Sequence, residues 1–153
     1  MFKATGFNLW YLYSVAANGP FMLVHLESKS TMKTALLVMV HGSPRPIANQ
    51  SMFQVVEEVK VRGVFDLVEV GFMECNEPTI TEAADACAAS GADKVIAVPY
   101  FLHTGTHVAD DLPTLLDEAA ARHPHVQFQM GRYIGTSPTL TDILARRATA
   151  VKS

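Results

Sequence analysis

Three side chains able to bind a metal or move a proton stand just beyond apolar runs of the chain. His41 follows Ala35 to Val40, Glu74 follows Leu67 to Met73, and His107 lies in the polar loop after Lys94 to Val98. Two imidazoles and a carboxylate form a mixed nitrogen and oxygen set suited to a borderline divalent ion such as cobalt, nickel, iron or zinc. Three protein ligands would leave coordination positions open for a substrate, as a catalytic rather than a structural metal site requires. His41 meets the tight turn Gly42-Ser43-Pro44, at the kind of strand-end loop where active sites concentrate. Glu74 reads equally as a solvated acid. Ser43 raises a nucleophile, yet there is no G-x-S-x-G elbow around it. Nor does a G-x-x-x-x-G-K loop offer to cradle a phosphate. His103 precedes His107 by four residues, a chelating interval on a helix, but Gly105 and its flanking threonines favour a loop there. Asp110 and Asp111, before Leu112-Pro113, read as helix N-capping acids. Glu77 reads as an acid at a helix N-terminus, and His123 and His125 as structural or solvated groups past a helix end.

The elements that must hold these groups follow from hydrophobic spacing. Ala35 to Val40 is continuously apolar, as a strand buried on both faces of a parallel sheet would be. Met52, Val55, Val56 and Val59 recur at helical spacing before Gly63. Leu67 to Met73 is a second strand, and Pro78 suits the first turn of the helix carrying Ile80, Ala83, Ala84, Cys87 and Ala88. Lys94 to Val98 is a third strand. Leu112, Leu115, Leu116, Ala119 and Ala120 mark the next helix, Val126 to Met130 a fourth strand, and Ser137-Pro138 opens a last helix along Leu140, Ile143, Leu144 and Ala148. Strand and helix alternate about four times, which predicts right-handed crossovers and a parallel sheet of about four strands covered by helices, an α/β three-layer sandwich. Ligands of such open sheets bind beyond the carboxyl ends of the strands. His41, Glu74 and His107 all fall at that edge.

The chain has 153 residues, of which 49% are hydrophobic and 18% charged, enough for one domain with its own core. A net charge of −3 leaves no basic footprint, so a nucleic-acid partner is not expected. Cys75 and Cys87 form no C-x-x-C pair and read as reduced thiols of a cytoplasmic protein. Residues 1–31 differ from the rest. Their aromatic run Phe7 to Val15 is too short to span a bilayer, so no membrane partner is expected. They read as an N-terminal extension ahead of a domain at 32–153.

The series VMVHGSPRPIAN, VGFMECNEPTI and VPYFLHTGTHVADDLP resembles the short sirohydrochlorin chelatases of the CbiX type, from about Lys33 to Arg147. Gly105-Thr106-His107 followed by Asp111-Leu112-Pro113 is the most telling part. Where that family often reads His-Gly-Ser-Arg, this chain has Pro44 before Arg45. The resemblance implies a single-lobe, flavodoxin-like chelatase domain that inserts Co²⁺, Fe²⁺ or Ni²⁺ into the tetrapyrrole sirohydrochlorin, in cobalamin or sirohaem biosynthesis. The metal is then a substrate, and no organic cofactor is implied. It makes His41 and His107 the metal-handling and catalytic histidines, with Glu74 the accompanying carboxylate. Ser43, Arg45 and Arg132 become candidates for contact with the substrate. Larger members carry two such lobes around the site, so a single lobe implies a homodimer. The rival readings are a metal carrier that uses the same histidines without a tetrapyrrole, and a flavodoxin-like binding module in which the histidines are incidental.

Overall fold

Every residue of strand β1 (Thr34–Val40) from Ala35 onward is buried, and the strand lies inside the sheet. It pairs in parallel with β2 (Leu67–Phe72) on one side and with β3 (Lys94–Pro99) on the other. β4 (Gln127–Met130) pairs in parallel with β3, giving the order β2-β1-β3-β4. The computed structural model describes residues 32–151. The expected extension at 1–31 lies outside the described residues.

Side chains alternate across a strand, so β1 feeds two separate cores. Leu36, Val38 and Val40 pack with Val68, Val70 and Phe72 under Met52 and Val56 of helix α1 (Pro46–Val61). Ala35, Leu37 and Met39 face the opposite layer. There they meet Ala83, Ala84 and Cys87 of α2 (Ile80–Ala89) and Leu112, Leu116 and Ala119 of α3 (Leu112–Arg122). The predicted α/β layering is therefore present, with α1 on one face and α2 and α3 on the other. Burial, with a smaller contribution from the nearby Glu69 charge, pushes the Cys87 thiol up to about 12. It acts as a small apolar side chain.

Pro78 lies outside α2 rather than in its first turn. Thr79 is the cap: its hydroxyl accepts from the Glu82 N–H at 3.2 Å, while its own N–H donates to the Glu82 carboxylate at 2.8 Å. Glu82, not Glu77, is thus the first-turn acid. The bonds from the Thr79 backbone and hydroxyl hold its carboxyl below the ordinary value. From the middle of α2, Asp85 ties that helix to α3 and the residue after it. Its Oδ1 lies 3.0 Å from an Arg122 guanidinium nitrogen and 2.7 Å from His123 Nε2.

Helix α4 (Pro138–Thr149) starts at Ser137 as its sequence predicts, but none of its residues is buried. Ile143 is 44% and Leu144 71% exposed, and Leu102 in the loop after β3 is 64% exposed. Together these residues line an open groove of about 410 Å³.

Candidate functional site

The site begins where β1 and β2 end. Their pairing continues past both strands: the Met73 N–H donates to the Val40 carbonyl at 2.8 Å, and the Glu74 N–H to that of His41 at 3.1 Å. Gly42 permits this. Its φ is +96°, and a Cβ there would stand 1.9 Å from the Glu74 carbonyl oxygen. The close approach puts Glu74 Oε1 3.3 Å from His41 Nδ1. The same nitrogen is 3.3 Å from the Gly42 carbonyl oxygen.

His107 arrives from the other side. The Tyr100 N–H donates to the Met39 carbonyl at 2.8 Å, which fixes the exit of β3 beside that of β1. After an exposed loop the chain makes one π-helical turn, His107–Asp111, and runs straight into α3. Pro113 accounts for the widened turn: it has no N–H for the Ala109 carbonyl, and its ring would crowd that oxygen in a regular helix. The Leu112 N–H instead reaches the His107 carbonyl, five residues back. This brings the His107 ring to 5.0 Å from that of His41, centroid to centroid, with planes 71° apart. Phe101 stands edge-on to His41 at 6.4 Å.

Asp111 corrects the expectation drawn from its position. Its backbone is already helical, and its side chain caps nothing. The carboxylate instead meets His107, with Oδ2 2.7 Å from Nδ1. Asp110 offers its carbonyl to the Thr114 hydroxyl at 2.8 Å. His103 sits exposed in the loop, outside any helix, so the helical chelating interval does not apply to it.

The fold therefore brings His41, Glu74 and His107 to one edge, each side chain about half exposed. Among the described residues, no three histidine, cysteine, aspartate or glutamate side chains already converge on one metal position. The imidazole pair faces outward, with Glu74 against His41. Ser43 follows in the turn, where its hydroxyl accepts from the Arg45 N–H at 3.2 Å and its carbonyl from the amide of buried Asn49 at 2.9 Å. Arg45 precedes α1 with its side chain exposed. Arg132 lies in the loop beyond β4, lining a separate hollow of about 250 Å³ with Tyr133 and Thr136. Sequence reasoning missed Asp111 as a partner of His107, Phe101 beside His41, and Asn49 as the brace of the turn. The four-residue interval from His107 to Asp111 was the available signal for the first.

The family model CbiX matches residues 35–151. The chain belongs to the CbiX family. This CbiX chain is 42% identical over 82 residues to the sirohydrochlorin cobaltochelatase of Methanococcus aeolicus, covering 54% of this chain and 57% of that protein. It is 35% identical over 116 residues to the sirohydrochlorin cobaltochelatase of Sulfurisphaera tokodaii, covering 76% and 92% respectively. Among solved structures, the sirohydrochlorin chelatase SirB from Bacillus subtilis subspecies spizizenii, in complex with cobalt, matches with a TM-score of 0.75 at 31% identity. That match covers 78% of this chain and 51% of SirB. The CbiX chain thus spans little more than half the length of several relatives, and nearly all of the Sulfurisphaera protein.

Proposed function

We propose that this chain inserts a divalent metal into sirohydrochlorin, with Co²⁺ ahead of Fe²⁺ and Ni²⁺, on the way to cobalamin or sirohaem. The observation that carries the reading is the facing pair His41 and His107, 5.0 Å apart at the carboxyl edge of the sheet. Relatives named as sirohydrochlorin cobaltochelatases and a cobalt-bound SirB support it.

Insertion requires that the metal shed water and that the macrocycle lose two pyrrolic protons. Neutral imidazoles serve both needs, holding the incoming ion and accepting protons as the pyrrolic nitrogens replace them. Glu74 offsets the charge of the ion and steadies the His41 ring. Ser43, Arg45 and, from its separate hollow, Arg132 are the groups assigned to the substrate, the guanidinium groups to pair with its many carboxylates. No organic cofactor is required.

The described domain matches 51% of SirB, and the larger members of the family it resembles carry two lobes around the site, so the reading calls for a second lobe. A second copy supplies it, so the working form is a homodimer. Among the described residues no helix is long and apolar enough to cross a membrane, and Cys75 and Cys87 are unpaired. Both facts suit a protein acting in the reducing cytoplasm.

The test is anaerobic absorbance of sirohydrochlorin with purified protein and Co²⁺, Fe²⁺ or Ni²⁺ in turn. Insertion should run above the uncatalysed rate, and His41→Ala or His107→Ala should each slow it by about 10²-fold or more. Metal binding without acceleration would replace this reading with that of a carrier.

A further inference from the structure

A neutral imidazole has one N–H and one lone pair, and only the nitrogen with the lone pair can bind a metal. Something must decide which nitrogen of His107 plays that part. Asp111 Oδ2 lies 2.7 Å from His107 Nδ1, and a carboxylate can only accept. In a neutral ring this contact would put the hydrogen on Nδ1 and leave the lone pair at Nε2.

The π-helical turn is what makes the contact dependable. It joins both residues to the first residue of α3, and that residue, Leu112, is wholly buried. Asp111 thus stands on a fixed element, whereas the residues just before His107 are exposed loop. His41 has a parallel arrangement. Its Nδ1 faces Glu74 Oε1 and the Gly42 carbonyl oxygen, each at 3.3 Å. Both rings of the pair have Nδ1 engaged by protein oxygen.

We propose that Asp111 is a positioning residue, holding His107 in its Nδ1–H form with Nε2 presented to the metal substrate. The inference rests on the reading that His107 handles that metal. Outer partners of this kind typically change metal affinity or activity by 10- to 100-fold when removed.

The test compares Asp111→Ala, Asp111→Asn and His107→Ala, with Co²⁺ varied at fixed sirohydrochlorin and then the reverse. Asp111→Ala should raise the KM for Co²⁺ by about 10- to 100-fold and leave the KM for sirohydrochlorin unchanged. Asp111→Asn should recover most of the loss, because its amide oxygen still accepts from Nδ1–H. Long-range proton–nitrogen spectra of the unaltered protein should show His107 with its hydrogen on Nδ1, a readout that needs no variant to fold. An Nε2–H signal overturns the proposal. So does an inactive His107→Ala beside an Asp111→Ala whose KM for Co²⁺ is unchanged, and that result leaves the chelatase reading standing. Full turnover by His107→Ala would instead overturn the reading beneath it.

Discussion

Gly42 shows how finely the site depends on one backbone position. A methyl group there would force the Glu74 carbonyl away and hold an L residue at a φ of +96°. Gly42→Ala should therefore lower stability by about 2–3 kcal/mol, read as a fall in Tm, and should also depress insertion as Glu74 moves from His41. Wild-type Tm and turnover in that variant would show that the two strand ends are not locked by this approach. That His41, Glu74 and His107 would share one edge was legible in the sequence for a simple reason. Apolar runs locate strand ends, and parallel sheets gather those ends at one edge. Asp111 was not legible, because a cap and a ring partner look alike until the helical register is known. That register turns on Pro113, whose missing N–H was in plain view. Its consequence depended on where α3 would be anchored.

Among the helices, the link between α2 and α3 gives a pH-dependent expectation. Burial alone would raise the Asp85 carboxyl, but the hydrogen bond from His123, then that from Arg122 and the Arg122 charge, outweigh it and hold the group below its ordinary value. A carboxyl depressed in the folded state contributes stability above its unfolded pKa and loses it as pH falls through the folded one. The Tm difference between the unaltered protein and Asp85→Asn should thus be present near neutrality and close under acid conditions. At this exposure it should correspond to no more than about 1 kcal/mol. A gap that persists in acid would place the effect elsewhere. Strands and helices were read close to their true bounds because burial imposes period two or helical spacing on them. Helix ends were read less well. Pro78 suggested a start that the reciprocal bonds of Thr79 and Glu82 moved past it, since satisfying two backbone donors outweighs the proline preference. The stripe on α4 was legible as helical, but a stripe does not say what covers it.

For the whole molecule, the apolar groove of α4 and Leu102 is one exposed surface at which the proposed homodimer can be tested. Light scattering should give the mass of two chains, and Leu144→Glu should shift it to one. Insertion should fall in that variant while the Tm of the separated chain changes little, because Leu144 contributes almost nothing to its own core. A fully active single chain would remove the dimer from the mechanism. A different consequence follows from the way β1 and β3 bring together His41 and His107. The proposed pair has no counterpart in an extended chain, where the two imidazoles are distant, independent and weak ligands. An emerging polypeptide does not offer this pair until β3 and the turn after it have been synthesised and laid beside β1. In the proposed chelatase, the metal-handling pair would therefore exist only in copies whose sheet has closed, so loss of that pair would report misfolding.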